Sequence, residues 1–281
     1  MLRLSIITIN YNDSLGLNKT IDSVLSQTST DFEYIIIDGG SNDGSKEFIK
    51  KNADRDIRVT YWISEPDNGI YQAMNKGILK AKGEYVQFLN SGDSLVDKFV
   101  IDKMLKALNS DTHAAAILYG NMLKQMPQEL KRDRCFAGKP ISFLGMYTGT
   151  LNHSPAYIRR DLFEKYGMYD ENLKIVSDWK WYLKSIVLGN ECVEYVDIDV
   201  TVFDMNGISS INTLLDKQER EQVLSELFHP LILSDYKKWS FPISQMKRLQ
   251  RYAWAYRFVW FIERFLFKYE KWFKNKEQIY K

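Results

Sequence analysis

The first hundred residues alternate between two hydrophobic periods, and this alternation limits the fold more than any other feature of the chain. "LSIITIN", "FEYIIIDGG", "VTYWISE" and "EYVQFLN" are apolar runs of strand length, and helical spacing fills each gap between them. In "LGLNKTIDSVLSQ" the apolar Leu17, Ile21, Val24 and Leu25 share one helical face. "DGSKEFIKKN" opens with Asp43 as the expected N-cap before Glu47, and "GIYQAMNKGILKAKG" is expected to stop at Gly83. Strands joined by helices rather than by hairpin turns run parallel, so the pattern predicts an α/β fold of βαβ units around a mostly parallel sheet.

In such a sheet the strand C-termini share one edge, where diverging loops leave a crevice for a ligand. Asn10, Tyr11 and Asn12 follow the first strand; Asp38 and "GGSNDGS" follow the second; Glu65 and Asp67 follow the third; Asn90 and Asp93 follow the fourth. The polar clusters therefore converge on one place.

With 281 residues, 45% of them apolar, the chain has material for one large domain, or for a domain with an appendage. A formal charge of +2 gives no electrostatic case for nucleic acid as a partner, and no zinc-finger or RNP-type motif is present. Cys135 and Cys192 lie far apart without metal-ligand spacing, which favours two buried thiols in a reducing, cytoplasmic compartment. "MLRLSIITINYN" is expected to be a first strand rather than a signal peptide. The most apolar window, "YAWAYRFVWFIERFLF", carries Arg257, Glu263 and Arg264, so no membrane span is expected.

Residues 101–200 are less regular: a helix at "VIDKMLKALNS", a strand at "AAILYGNML", a helix start at Arg160, a helix over "SDWKWYLKSIVLG", and one or two strands in "CVEYVDIDVTVFDM". From about residue 213 the sequence turns helix-forming, charged and aromatic, and residues 240–281 carry ten Lys or Arg against three Glu. Trp254, Phe258, Ile262, Phe265, Tyr269 and Trp272 recur at helical spacing, with Arg257, Arg264, Lys268 and Lys271 on an adjoining face. A basic, aromatic helix of this kind suits an anionic membrane surface; it equally suits packing on the rest of the chain or on a second copy in a homodimer.

"IITINYN", "IIIDGGSNDGS", "EPDNGIYQAMNKGI", "FLNSGDSL" and "SDWKWYL" occur in the order and at about the spacing found in family 2 glycosyltransferases with a GT-A fold. The chain most resembles the bacterial members that build capsule, O-antigen or exopolysaccharide. The resemblance implies a GT-A domain over residues 1–212, with a nucleotide-binding half (1–100) and an acceptor-binding half (101–212). A helical extension over 213–281 lies outside it.

A nucleotide-sugar site needs a stacking surface and a hydrogen-bond acceptor for the base, which Tyr11 and Asp38 supply at neighbouring strand ends. The resemblance gives the same two residues, with uracil as the usual base, and adds Thr8 and Asn10 on the donor side. The plainer reading packs Tyr11 in the core and leaves Asp38 to cap its own turn. Where the family usually has a second Asp, this chain has Gly39. Asp67 and Asn68 precede a helix whose N-terminus attracts phosphate, unless they are simply its cap.

Departure of a diphosphate calls for a divalent cation, Mn2+ or Mg2+. Asn90 and Gly92 replace two of the family's acidic positions, and Asp93 matches the last, where the family touches the metal. One carboxylate suffices when substrate oxygens and waters complete the shell, and an Asp restored at position 92 is expected to tighten metal binding. Asp178 matches the family's usual catalytic base, with Ser177 in place of its acidic neighbour, and a single base implies inversion. His153 is expected to line the acceptor side, and Ser209 in "MNGISS" to close over the diphosphate. The implied partners are a nucleotide-sugar donor, with UDP expected, and a glycan or lipid-linked acceptor at the inner face of the membrane. Two other readings compete: a binding protein that has lost turnover, and a sugar-1-phosphate nucleotidyltransferase, whose Gly-rich basic loop "TINYNDSLG" lacks.

Overall fold

The protein is described by a computed structural model over residues 2–110, 115–205 and 212–279. The first half builds as its periodicity predicts: β1 (Leu4–Asn10), α1 (Ser14–Leu25), β2 (Phe32–Asp38), α2 (Ser45–Ala53), β3 (Val59–Ser64), α3 (Ile70–Lys80) and β4 (Tyr85–Phe88). The short β5 (Ser94–Leu95) and α4 (Val100–Ser110) follow. Next come β6 (Ile117–Gln125), β7 (Leu130–Asp133), α5 (Phe143–Thr148), β8 (Ala156–Arg159), α6 (Asp161–Tyr166) and α7 (Ser177–Tyr182), which continues as a π-helical turn over Leu183–Leu188. β9 (Val193–Phe203) is a single long strand, and α8 (Thr213–Leu227), α9 (Pro230–Gln250) and α10 (Ala253–Ile279) end the chain.

Every residue of β1 and β2 is buried, as befits central strands covered on both faces. The sheet runs β3-β2-β1-β4-β8-β6-β9-β5, with β7 paired to the last part of β6. β1 to β4 are parallel. β8 is antiparallel to both β4 and β6, and β9 is parallel to β6. Two reversals restore the original direction, so β9 ends on the same edge as β1 to β4. The long ladders are parallel and the antiparallel ones short, giving the mixed, mostly parallel sheet expected.

Local chemistry departs from expectation in several places. Gly44, in the left-handed region at φ 92°, occupies the N-cap of α2. Asp43 instead accepts from the Ser45 amide and hydroxyl with Oδ1 (3.2 and 2.6 Å) and from the Ser14 amide with Oδ2 (2.8 Å), tying the starts of two helices together. α3 ends at Lys80, before Gly83, because Ala81 is already extended. Cys192 is exposed and Cys135 half-buried, so the two thiols are not both in the core.

Two compact units result, Met1–Val223 and Leu224–Lys281, with the division inside α8. In the first, an aromatic cluster joins β4, α6 and α7: the Phe163 ring stacks on Trp181 (4.7 Å between centroids) and meets Phe88 and Tyr169 edge-on. The carboxylate of Glu219, on α8, is buried and accepts the backbone N–H groups of Lys174, Ile175 and Val176 (2.7, 2.9 and 3.2 Å), the residues leading into α7. Arg220 stacks on Trp179 of α7 at 4.4 Å. In the second unit α9 and α10 pack on each other and expose large aromatic side chains. Among the described residues no helix is long and apolar enough to cross a membrane.

Because Glu219 satisfies backbone donors that have no other partner at the start of a helix, Glu219→Ala should destabilise the fold by about 2 kcal/mol or more. Urea unfolding should show the midpoint falling with an unchanged slope, and Glu219→Gln losing less.

Candidate active site

The ends of β1, β2 and β3 are held by Asp38. Its side chain is 0% exposed and accepts from the Asn10 amide (2.7 Å), the Ser41 hydroxyl and amide (2.6 and 3.0 Å) and the Ser64 hydroxyl (2.6 Å). Burial opposes ionisation, but the hydrogen bonds from Ser41, Ser64 and Asn10 outweigh it and hold the carboxyl below the usual range. Both oxygens are engaged by donors of its own turn and of the neighbouring strand ends, so Asp38 shapes the turn. Thr8 is fully buried, donating to the Leu89 carbonyl (2.7 Å) and accepting from the Tyr34 hydroxyl (2.9 Å). Asn10, also buried, serves Asp38.

Tyr11 is not in the core; its side chain is 67% exposed. It flanks Gly39: a Cβ on that glycine would lie 3.2 Å from Tyr11 Cδ2 and 2.8 Å from Asp67 Oδ2. The absence of a side chain at Gly39 thus lets an aromatic ring and a carboxylate both come close to its backbone. Asp67 Oδ1 accepts the Gly69 amide (2.9 Å), and Gly69, not Asp67 or Asn68, is the N-cap of α3. Asn68 is exposed, and its carbonyl accepts from the Lys174 ammonium (3.0 Å).

The second group lies after β4. Asp93 is 3% exposed, its Oδ1 accepts the Asp204 amide (2.9 Å), and its Oδ2 is buried without a partner. Burial pushes its carboxyl up to about 7, against the pull of the Asp204 amide and the charges of His153 and Lys19. A buried carboxylate oxygen with nothing to accept fits a cation, and Asn90 Oδ1 is a further buried, unpartnered oxygen in the same loop. Among the described residues no three His, Cys, Asp or Glu converge as a cation site.

Asn90 Nδ2 stands 3.4 Å from His153 Nε2, and His153 Nδ1 stands 3.4 Å from Asp178 Oδ2. The Tyr71 hydroxyl, which donates to the Ile175 carbonyl (2.5 Å), is 3.1 Å from Asp178 Oδ1. Burial disfavours charge on both His153 and Asp178, yet their mutual attraction prevails, lowering the Asp178 carboxyl and raising the His153 imidazole. Asp178, His153 and Asn90, assigned separately from sequence, therefore form one chain of contacts. Ser209 lies outside the described residues.

Sequence reasoning missed Asp13, Tyr71 and Asp204. Asp13 accepts the Gly16 amide (3.0 Å) as the N-cap of α1 and the Ser91 hydroxyl (3.0 Å), joining the first and fourth strand-end loops. Its signal was available, since Asp three residues before Gly16 opens the helix in "NDSLG".

With the fold and geometry described, comparison with known proteins places the chain. The profile of glycosyl transferase family 2 matches residues 5–167, more than half its length. The chain belongs to that family. An uncharacterized glycosyltransferase of Mycobacterium tuberculosis is 31% identical over 212 residues, covering 74% of this chain and 77% of that protein. A PGL/p-HBAD biosynthesis glycosyltransferase of Mycobacterium bovis is 25% identical over 244 residues, covering 86% and 92%. Among solved structures, S. aureus TarS 1–349 in complex with UDP-GlcNAc aligns with a TM-score of 0.64 at 18% identity, over 79% of this chain and 64% of that one, a little under two thirds of its length. The mannosyltransferase PcManGT from Pyrobaculum calidifontis, in complex with GDP-Man and Mn2+, aligns with a TM-score of 0.62 at 16% identity, over 96% and 82%. These likenesses show the fold, the GT-A arrangement that the motifs of this glycosyltransferase implied.

Replacing His153 by Gln removes the imidazolium that lowers the Asp178 carboxyl and leaves the burial that raises it. The Asp178 pKa should therefore move up, seen by carbon-13 NMR titration of the side-chain carboxyls. An unchanged or lower value would show that His153 does not set it.

Proposed function

We propose that this family 2 glycosyltransferase moves a sugar, with inversion, from a UDP-sugar to a glycan or lipid-linked acceptor of a surface polysaccharide. The observation that carries this reading is the meeting at one sheet edge of the Tyr11–Gly39–Asp67 cluster, the buried Asp93 oxygen and the Asn90–His153–Asp178 chain. The base stacks on Tyr11, and its ring N–H donates to Asp67, whose Oδ2 lies beside Gly39 while the Asp38 oxygens are engaged by internal donors. Asn68 and the N-terminus of α3 face the ribose and phosphates.

Asp93 holds a divalent cation, Mn2+ or Mg2+, which when bound neutralises charge developing on the departing diphosphate. Asp178 takes the proton of the acceptor hydroxyl as its oxygen bonds to the anomeric carbon and the bond to the diphosphate breaks. His153 keeps Asp178 ionised beforehand, and Tyr71 fixes the orientation of its other oxygen. One displacement with one base gives inversion; Ser177, beside Asp178, carries no carboxylate, and its hydroxyl oxygen accepts the Asp170 amide (2.6 Å).

The paired test compares donor binding by calorimetry with initial transfer rate for wild type and Asp178→Asn. Asparagine retains the shape but cannot accept the proton, so transfer should fall by about 10²–10⁴-fold while UDP-sugar affinity hardly moves. Survival of the rate would remove Asp178 as the base; loss of donor binding would place it on the donor side.

The tail supports a peripheral position on the inner face of the membrane. On α10, Trp254 and Phe265 are 74% and 63% exposed, and Phe258, Ile262 and Tyr269 share their stripe. Arg264 lies over Trp260 at 4.5 Å, so cationic and aromatic groups meet as an anionic lipid surface requires. Removing residues 253–281 should release the protein from phosphatidylglycerol vesicles and leave donor hydrolysis intact. Loss of folding or of a dimer on truncation would make the helix structural instead.

A further inference from the structure

The cation site just described rests on one carboxylate, and the topology brings a second to it. β9 ends on the same sheet edge as β1 to β4, and Asp204 is the residue immediately after it. β5 begins one residue after Asp93 and pairs antiparallel with β9, Ser94 opposite Val202. That register carries the Asp204 backbone to Asp93, where its N–H donates to Oδ1 (2.9 Å), leaving Oδ2 buried and unpartnered.

The Asp204 side chain fills a particular space. Gly92, at φ +93°, has Asp204 Oδ2 3.1 Å and Asp204 Cβ 3.3 Å from where its own Cβ would sit. Gly92 stands at a position where the resemblance in sequence implies an acidic residue. Here the volume that its side chain would enter is held by a carboxylate from a strand more than a hundred residues later.

We propose that Asp204 is a second carboxylate of the divalent-cation site, supplying from the end of β9 the charge that Gly92 lacks. This rests on the metal-dependent reading of the function and deepens it. Two carboxylates from two loops, with the buried, unpartnered Asn90 Oδ1 in the same turn as Asp93, leave the remaining positions of a hard cation to diphosphate oxygens and water. Lys19, whose ammonium donates to the Gly92 carbonyl (3.0 Å) and to Gln125 Oε1 (3.3 Å), faces the same turn and balances its charge before a cation arrives. The geometry also reverses the expectation that an Asp at position 92 would tighten binding. A side chain there meets a left-handed backbone and the Asp204 carboxylate together, so Gly92→Asp brings strain and like-charge repulsion.

The test titrates Mn2+ alone into the full-length protein, without UDP and with saturating UDP, following free Mn2+ by electron paramagnetic resonance. Asp204→Asn should weaken Mn2+ binding by about tenfold or more under both conditions, since charge count sets such affinities. Melting temperatures without metal report that the variant is folded, the backbone hydrogen bond to Asp93 not depending on the side chain; Asp204→Ala should show the same loss of Mn2+ binding should asparagine disturb the loop. Wild-type Mn2+ affinity in both variants would overturn the assignment of Asp204 and leave the proposed function standing. Absence of Mn2+ binding by the wild type even with UDP would overturn the cation reading itself, and this inference with it.

Discussion

The strand-end edge of this glycosyltransferase depends on one buried carboxylate. Asp38 takes donors from the end of β1, the turn after β2 and the end of β3, so three strand ends are fixed relative to one another by a single side chain. A carboxylate removed from water costs several kcal/mol unless it is fully hydrogen-bonded, and bonds to a charged acceptor contribute about 1.5–3 kcal/mol each. The donors together outweigh burial and hold the carboxyl below its usual range, so a rearrangement that loses a donor is opposed. The rigidity is transmitted to Tyr11 and Gly39, which directly follow two of the strand ends that Asp38 ties, and so to their contacts with Asp67.

The sheet and the converging edge of β1 to β4 were legible because periodicity assigns strand and helix, and parallel connections put all strand ends on one side. β9 was recognised as a strand, but its edge was hidden. Its direction depends on the reversal through β8 and back through β6, which no local pattern records. Acidity was legible at Asp38 and Asp67, but not which of them would meet internal donors. That choice is made by Ser41 and Ser64, whose hydroxyls look like ordinary turn residues until the strands pair. His153 and Asp178 were each visible as candidates, yet their pairing needs β8 beside β4, with α7 brought in by the aromatic cluster around Phe163 and Trp181.

Asp178 is positioned from several sides at once, and the supports come from distant parts of the chain. Tyr71, in the first turn of α3, contacts it from one side; His153 contacts it from the loop before β8; Glu219 caps the backbone that leads into its helix. Lys174, whose amide is held by Glu219, extends its ammonium to the carbonyl of Asn68 in the loop before α3. One short segment, 174–176, therefore touches both that loop and the start of α7. Movement of the loop reaches α7 through one hydrogen bond and then through covalent chain. The family profile ends at residue 167, so both α7 and the helix that anchors it lie beyond the part of the chain most readily recognised.

Two glycines, Gly39 and Gly92, stand where the resemblance in sequence implies acids, and at both the space that a Cβ would enter is met by a carboxylate from elsewhere: Asp67 Oδ2 at 2.8 Å and Asp204 Oδ2 at 3.1 Å. Adjacent acids on one turn repel each other and must be held against that repulsion by the turn itself. Drawing the second carboxylate from another loop removes that local strain and makes the site conditional on loop placement instead. Asp67 stands against Gly39 from the segment before α3, and Asp204 stands against Gly92 where β5 and β9 pair. On the proposed reading each ligand-facing group is assembled by tertiary contact, and the carboxylates of Asp67 and Asp204 take the place of second acids on the same turns.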